Sequence, residues 1–157
     1  MKAQYIEINK IGDKLYYSDK KMSKLHRVDG PAIEYTNGNK EWYFKGKLHR
    51  ENGPAVERLN GDKYWSLHGI CHREDGPACE WANGDKVWYI NGICHREDGP
   101  AIEHANGNKK WCLHGSFVSQ EEHARRTKKV PTININGKDF TLEELNSLIE
   151  TAKGNKA

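Results

Sequence analysis

Short runs in which apolar and polar residues alternate recur along the chain at a fixed spacing of 23 residues. In the first complete copy these runs are residues 32–35 and 40–44, and Asn37-Gly38 lies between them. Alternation with a period of two is typical of half-buried β-strands, and Asn-Gly between two such runs indicates a hairpin with a two-residue type I′ turn. The pattern therefore predicts one hairpin in each repeat and one continuous antiparallel meander.

A longer motif, H-R-x-[DN]-G-P-A-x-E-x-x-N-G-x-K-x-W-x-x-x-G, occurs four times. The copies begin at His26, His49, His72 and His95, and their tryptophans are Trp42, Trp65, Trp88 and Trp111. A constant period of this length is typical of solenoids, whose units bury their apolar faces against neighbouring units. We predict a mainly β fold: a single-sheet antiparallel β-meander solenoid of about four hairpin repeats with a small α/β C-terminal cap. The predicted segments are capping strands in 1–25, the repeats in 26–117 and the cap in 118–157.

The register of the hairpin decides which face of the sheet is buried. With a two-residue loop, Ile33 faces Trp42 across the hairpin, and Phe44 points to the same side. These positions are apolar in every repeat, so we expect them to form the core face. Glu41 and Tyr43 then belong to the opposite face. A bulge at the Asn-Gly loop would exchange the two faces, because a slip of one residue inverts every side chain.

The ends of the chain depart from the repeat. Residues 5–8 alternate like an opening strand, and residues 12–17 resemble the second strand of a repeat. After the last copy, Ser119 with Glu122 fits a helix capping box, which predicts a helix to about Lys129, before Val130-Pro131. Residues 133–135 then predict a strand with a turn at 136–137, and a second capping box at 141–144 predicts a helix to about 152. The tail is expected to cover the last strand or the end of the core face.

Composition narrows the classes of function. The chain has 157 residues, 36% of them hydrophobic, and a formal charge of +3 with both signs mixed along its length. This balance does not favour a general binder of nucleic acid or of membrane surfaces. The first ten residues lack the apolar region of a signal peptide, and no segment approaches the ~20 apolar residues of a membrane span. We therefore expect a cytoplasmic protein with reduced thiols.

The cysteines are predicted to be free. Cys71 and Cys94 occupy the same position in successive repeats. Two strands per repeat would separate them by roughly 9.6 Å. That separation exceeds the ~7 Å limit for the Cα atoms of a disulfide. We extend the same interpretation to Cys79 and Cys112.

Several motifs suggest chemistry that their spacing does not support. The four His-Arg pairs resemble an anion or metal ladder, but rungs roughly 9.6 Å apart are too far from one another to share an ion. A structural role between repeats is favoured, with the arginines forming inter-repeat ion pairs to Glu34, Glu57, Glu80 and Glu103. Cys71-His72 and Cys94-His95 lack zinc-ligand spacing, and adjacent strand residues point to opposite faces. The basic run 125–129 is interpreted as a solvated helix face because Glu121 and Glu122 precede it by one turn. We expect no cofactor, no metal and no catalysis.

Positions that differ between repeats are the better candidates for recognition, since a scaffold repeats with the period and a ligand does not. Aromatic residues and arginine are enriched at the energetic centres of protein interfaces. Trp81 is the one tryptophan outside the repeated column, and it has a second interpretation as a local filler of the core. The candidate binding surface consists of Tyr35, Tyr43, Arg58, Tyr64, Trp81, Tyr89 and His104.

The 23-residue unit, which also reads G-K-x-H-x-x-x-G-x-x-x-x-x-x-N-G-x-K-x-W, resembles the MORN (membrane occupation and recognition nexus) repeat over residues 12–117. The wording HREDGPA at 72–78 and 95–101, with SQEEHARRT at 119–127, is similar to MORN-like repeat proteins common in bacteriophage genomes. This resemblance implies a β-hairpin array with a non-enzymatic interaction role. Arginine follows each repeated histidine where MORN units usually have glycine, so the resemblance does not carry over the lipid-binding role sometimes ascribed to them.

The predicted function is a non-catalytic protein-interaction module. The resemblance implies a phage accessory protein that binds and inhibits a host defence factor, in the host cytoplasm. One alternative is a sponge for a nucleotide-like signal, which predicts a concave pocket where Arg58 meets an aromatic ring. Another is a structural protein that self-assembles through its sheet edge or its C-terminal helix. An enzyme is disfavoured because histidine and glutamate are evenly spaced instead of converging on one cleft.

Overall fold

The computed structural model describes residues 5–128 and 132–154. The chain divides into two compact units, residues 1–123 and 124–157. The predicted helix end at Lys129 and the stop at Val130-Pro131 lie outside the described residues. Within those residues, no helix is both long and apolar enough to cross a membrane.

The first unit is built almost entirely of short strands. In chain order its strands are β1 (Tyr5–Ile8), β2 (Lys14–Tyr17), β3 (Ile33–Glu34), β4 (Lys40–Glu41), β5 (Tyr43–Phe44), β6 (Lys47–Leu48), β7 (Val56–Glu57), β8 (Lys63–Tyr64), β9 (Ser66–Leu67), β10 (Ile70–Cys71), β11 (Cys79–Glu80), β12 (Lys86–Val87), β13 (Tyr89–Ile90), β14 (Ile93–Cys94), β15 (Ile102–Glu103), β16 (Lys109–Leu113) and β17 (Ser116–Val118). Helix α1 (Gln120–Thr127) follows and spans the division between the units at residues 123 and 124. Eleven strands form one open antiparallel sheet in the order β1-β2-β3-β4-β7-β8-β11-β12-β15-β16-β17. The predicted mainly β, single-sheet meander is therefore confirmed, including the two strands that open it.

Each inner repeat contains two hairpins, where the sequence predicted one. In the first repeat, β3 and β4 belong to the long sheet, whereas β5 and β6 form a separate two-stranded sheet. Trp42 lies at the junction, where its N–H donates to the carbonyl of Ala55 and its own carbonyl accepts from the N–H of His49. The strand therefore leaves the long sheet at tryptophan and folds back on itself before the next repeat begins.

The predicted register is wrong by one residue, and the cause is the loop at Asn37-Gly38. Ile33 pairs with Glu41, not with Trp42. The N–H of Gly38 donates to the carbonyl of Tyr35, and only Gly38 in the loop has a positive φ, of 88°. Three residues therefore form the loop, with glycine in the left-handed position after a type I turn.

The type I′ turn predicted for Asn-Gly instead closes the second hairpin. Lys45 and Gly46 have φ values of 52° and 81°, and the two strands that they connect pair directly. Positive φ at both central residues is the requirement of this turn. The same turn recurs at His68-Gly69, Asn91-Gly92 and His114-Gly115.

The corrected register leaves the Ile33 column in the core and places the Glu41 column, in place of the Trp42 column, on the same side of the sheet. We call the side of the long sheet that carries the Ile33 column face A. It consists of Ile33, Glu41, Val56, Tyr64, Cys79, Val87, Ile102 and Lys110. Five of these eight are buried, including Glu41, whereas the four repeated tryptophans are only half-buried. The prediction that tryptophan shares a core face with Ile33 is therefore wrong.

The opposite side of the sheet, face B, is charged. It consists of the paired residues Glu34, Lys40, Glu57, Lys63, Glu80, Lys86, Glu103 and Lys109. Glutamate and lysine lie directly opposite one another across every strand pair from β3 to β16. Opposite charges in cross-strand positions stabilise a sheet modestly.

Successive Asn-Gly loops are joined by a row of side-chain hydrogen bonds, which we call the Asx ladder. It consists of Asp13, Asn39, Asp62 and Asp85, each of which accepts a backbone N–H from the next loop, at 2.7 to 2.8 Å. The donors are Thr36, Leu59, Ala82 and Ala105. Each bond couples one repeat to the next, as nearest-neighbour stabilisation of a solenoid requires.

The Asx ladder makes the array sensitive to acid. The backbone hydrogen bond from the next loop lowers the pKa of Asp13, Asp62 and Asp85 below the ordinary value of 3.8. A depressed pKa in the folded state contributes stability above the unfolded pKa, and that stability is lost as pH falls through the folded pKa. Acidification from about pH 5 to pH 2 should therefore weaken the ladder.

The test uses the natural asparagine as its template. A triple variant Asp13→Asn, Asp62→Asn, Asp85→Asn should lose less stability than the wild type over this pH range, because an amide oxygen accepts the same bond without titrating. The reverse variant Asn39→Asp should lose more. Urea unfolding followed by circular dichroism at several pH values measures both differences. Equal pH dependence in all three proteins would exclude the ladder as the cause.

The second unit is a hairpin followed by a helix. Its elements are β18 (Thr132–Ile135), β19 (Lys138–Thr141) and α2 (Leu142–Gly154). Asn136 and Gly137 both have positive φ, which confirms the predicted turn, and the sequence prediction omitted only the returning strand β19. The capping box at Thr141 is complete: Thr141 Oγ accepts from the N–H of Glu144, whose carboxylate accepts from the N–H of Thr141. Ser119 likewise accepts from the N–H of Glu122, as predicted for α1.

Candidate interaction surface

The repeated histidines are part of the framework. In each copy the Nδ1 atom accepts the backbone N–H of the first residue of the following type I′ turn, at 3.1 to 3.2 Å. The ring proton therefore lies on Nε2. Burial lowers the pKa of His49 and His95, which keeps these rings neutral. The geometry gives the histidines a structural role in closing the second hairpin.

The repeated arginines are also part of the framework. Each guanidinium lies 4.0 to 4.1 Å from the centre of an aromatic ring: Arg27 over Tyr16, Arg50 over Trp42, Arg73 over Trp65 and Arg96 over Trp88. Each also contacts the glutamate seven residues ahead, at 2.6 to 2.9 Å. These ion pairs lie within a repeat, so the predicted inter-repeat pairing is wrong. Among these contacts of the arginines, the stacking on the preceding aromatic ring crosses the repeat boundary.

Three of the predicted surface residues meet on face A around one buried carboxylate. Arg58 Nη2 lies 2.9 Å from Glu41 Oε1, and the Tyr43 hydroxyl donates to Glu41 Oε2 at 3.1 Å. Tyr35 interacts electrostatically with both Glu41 and Arg58. Burial and the neighbouring carboxylate raise the pKa of Tyr43 to about 12, so the phenol remains a hydrogen-bond donor at neutral pH.

The next repeat places a different pair at the same two positions. Tyr64 corresponds to Glu41, and Trp81 corresponds to Arg58. Their rings contact edge to face, with centroids 5.8 Å apart. The variable columns are therefore coupled across the repeat boundary: an ion pair joins the first two repeats, and an aromatic pair joins the second and third. Such a T-shaped pair is a favourable aromatic geometry.

The two remaining candidates lie further along the array. His104 Nδ1 is 3.6 Å from Asp85 Oδ2, and Asp85 Oδ1 at the same time accepts the N–H of Ala105. Tyr89 pairs directly with Cys94. All seven predicted residues are partly exposed. The structure thus gathers Tyr35, Tyr43 and Arg58 in one cluster, joins Tyr64 to Trp81, and places Tyr89 and His104 separately.

An open groove connects the first two groups. It has a volume of about 660 Å³ and is lined by Arg58 and Tyr64 together with Asn37, Asn39, Leu59, Asn60 and Asp62. Leu59 is 76% exposed at its rim. The groove therefore combines a cation, a carboxylate, an aromatic ring, amides and an apolar side chain.

Glu41 is the residue that sequence reasoning missed. It belongs to a column that otherwise contains Tyr64, Val87 and Lys110, and a carboxylate there gave no sign of burial. Its partner was hidden because the predicted register placed this column on the wrong face. One signal in the sequence could have found it. Glu41 and Arg58 are seventeen residues apart, and in the next repeat both positions change together, to Tyr64 and Trp81.

The remaining motifs from the sequence are the possible metal ligands and the basic run. Among residues 5–128 and 132–154, no cluster of three or more histidine, cysteine, aspartate or glutamate side chains could hold a metal ion. Of the basic run, Arg125, Arg126 and Lys128 are exposed, and Lys129 lies outside the described residues. In comparisons with known proteins, no family model matches this chain, and no curated protein does.

Proposed function

We propose that this protein is a non-catalytic binding scaffold that recognises a protein partner through the partly exposed, variable residues on the side of face A. The proposal depends on one observation: the repeated residues form the framework, whereas the candidate residues that vary between repeats remain accessible. The recurring histidines, arginines and tryptophans are engaged in the contacts of the array. The seven candidate residues, by contrast, occupy positions that change between repeats, and all of them stay partly exposed. Tyr64 belongs to face A, and Tyr35, Arg58, Trp81 and His104 each follow a face A residue by two positions, which places them on the same side of the sheet.

The chemistry of this face suits a mixed polar and aromatic interface. The Arg58 side chain is 35% exposed, and its contact with Glu41 orients the guanidinium. Tyr64 and Trp81 hold each other in place. Aromatic and arginine side chains that are already ordered lose little conformational entropy on binding, which favours affinity. The resemblance to bacteriophage MORN-like proteins extends the proposal to a host protein as the partner.

The test compares three tagged baits expressed in the natural host cell. They are the wild type, a face A variant Glu41→Tyr, Arg58→Trp, and a face B control Lys63→Gln, Lys86→Gln. The face A variant replaces the ion pair by the pair that the next repeat uses, which changes recognition while retaining a packing solution that already exists in the chain. We expect a stoichiometric protein with the wild type and the control, and recovery at least about tenfold lower with the face A variant. Equal recovery with all three baits would place binding elsewhere.

A second candidate function is supported by the groove lined by Arg58 and Tyr64. A cation beside an aromatic ring suits a nucleotide, whose phosphate and base those groups would contact. Cyclic nucleotides or ADP-ribose at about 1 mM should then raise the melting temperature of the wild type but not of Arg58→Met. Identical melting temperatures with and without ligand would exclude this candidate.

A further inference from the structure

Two cysteines flank one loop of the array. Cys71 pairs with Ser66, and Cys79 pairs with Tyr64. Between those partners, the N–H of Trp65 donates to Ala78 and its carbonyl accepts from His72. Since the N–H and C=O of one strand residue point to the same side, Cys71 and Cys79 lie along the same edge of segment 64–66. They mark the two ends of the loop formed by residues 72–78.

The register also places the two thiols on the same face. Tyr64 and Ser66 are two residues apart, so their side chains point to one side, and cross-strand partners share that side. Positions two residues apart along a strand are separated by about 6.7 Å. That value lies within the ~7 Å limit for the Cα atoms of a disulfide. Cys71 and Cys94, by contrast, belong to different repeats.

Only one repeat has cysteine at both positions. The corresponding pairs are Leu25 and Ile33, Leu48 and Val56, and Cys94 and Ile102. In each of these three pairs, at least one of the two side chains is aliphatic. In the Cys71–Cys79 pair, both side chains are thiols, and neither forms a disulfide in the structure.

The two thiols differ in their exposure to solvent and in the direction of their pKa shifts. Cys71 is partly exposed, whereas Cys79 is buried. The Cys79 thiol lowers the pKa of Cys71, because it can donate to the Cys71 thiolate. The same shared proton and burial raise the pKa of Cys79. An accessible thiolate beside a protected second thiol is the arrangement of oxidation-sensitive cysteine pairs.

We propose that Cys71 and Cys79 form a peroxide-reactive dithiol site whose oxidation produces a disulfide across the neck of loop 72–78. The Cys71 thiolate attacks one peroxide oxygen, forms an S–O bond and releases hydroxide as the O–O bond breaks. The Cys79 sulfur then displaces the oxygen of the resulting sulfenic acid, forms the S–S bond and releases water. Two thiols are oxidised and one hydrogen peroxide is reduced to two waters. This proposal does not rest on the proposed binding function.

The other two cysteines provide an internal comparison. The Cys112 thiol donates to the carbonyl of Cys94 at 3.2 Å and is completely buried. Burial raises the pKa of Cys94 to about 12. The raised pKa makes Cys94 a poor nucleophile, and burial shields Cys112 from peroxide, so we expect both to remain reduced while the first pair reacts.

The chain is well suited to mapping the product. Trypsin cleavage places Cys71 in peptide 64–73, Cys79 in 74–86, Cys94 in 87–96 and Cys112 in 111–125. The full-length protein is treated with hydrogen peroxide at neutral pH, alkylated and digested. We expect free thiols to fall from four to two per chain and peptides 64–73 and 74–86 to be joined with the loss of two hydrogens. Joined peptides 87–96 and 111–125, or disulfides between chains, would overturn the proposal.

Two variants separate the mechanism from accidental oxidation. Cys79→Ser should stop the reaction at the sulfenic acid of Cys71, which a cyclic diketone traps in peptide 64–73. Cys94→Ser, Cys112→Ser should form the Cys71–Cys79 disulfide at the wild-type rate. Unreactive Cys71 in the folded Cys79→Ser protein, or loss of the disulfide in the Cys94→Ser, Cys112→Ser protein, would also overturn the proposal.

Discussion

Replacing Trp65 by alanine should lower the free energy of unfolding of the first unit by about 3 kcal/mol, at the lower end of the range for deletion of a large aromatic side chain. The lower end applies because Trp65 is half-buried. The loss has two parts: the packing of the indole itself, and the surface on which the Arg73 guanidinium lies 4.1 Å from the ring centre. Removing the indole therefore also loosens the contact between the second and third repeats.

The matched control is Trp111→Ala. The arginine that covers each of the three other tryptophans lies eight residues after it, and Ser119 occupies that position after Trp111. We expect about 1 kcal/mol less destabilisation there, because the arginine stack is the part that is missing. Urea unfolding followed by circular dichroism measures both variants without relying on tryptophan fluorescence. Equal losses would show that the stack contributes nothing to stability.

Exchange of the Glu41–Arg58 pair is the second prediction with a large expected effect. Arg58→Trp alone leaves the Glu41 carboxylate, whose side chain is only 9% exposed, without its cationic partner. Breaking a fully buried ion pair costs about 3–5 kcal/mol. Arg58 is partly exposed, so water can replace some of the lost interaction, and we expect a cost of about 2 kcal/mol.

Adding Glu41→Tyr to Arg58→Trp should restore most of that stability. The double variant reproduces the edge-to-face pair of Tyr64 and Trp81, whose ring centroids are 5.8 Å apart. We expect it to unfold within about 1 kcal/mol of the wild type, with a coupling energy of about 1–2 kcal/mol in the double-mutant cycle. Glu41→Tyr is measured as the other single variant. A double variant whose loss equals the sum of the two single losses would refute the pairing of these columns.

The sequence predicted the architecture well because its signals are local and repeated. Alternation, the 23-residue period and the capping box at Thr141 each depend on residues close in the chain. The open antiparallel sheet and the two opening strands followed directly from them. A structural role for the repeated histidines followed from spacing alone, since their rungs are too far apart to share an ion.

The register could not be derived with the same security. Asn-Gly suits both a two-residue type I′ turn and a three-residue loop with glycine in the left-handed position. In the structure, the N–H of Gly38 donates to the carbonyl of Tyr35, and this bond belongs to the three-residue loop. The packing of the strands, not the residue types of the loop, decides between the two turns. That single residue of slip moved Glu41 into the core and hid its contact with Arg58. The candidate residues were chosen by variation, so they did not depend on the face assignment.

The Glu41–Arg58 and Tyr64–Trp81 contacts have a consequence for how such an array grows. A unit cut from histidine to histidine would separate both partners of each pair, and its insertion elsewhere would create mismatched neighbours. A unit cut at the Asn-Gly loops, such as 37–59 or 60–82, carries both partners together. Gene duplication or deliberate shuffling with those boundaries would lengthen the protein while keeping both partners of each such pair within one unit.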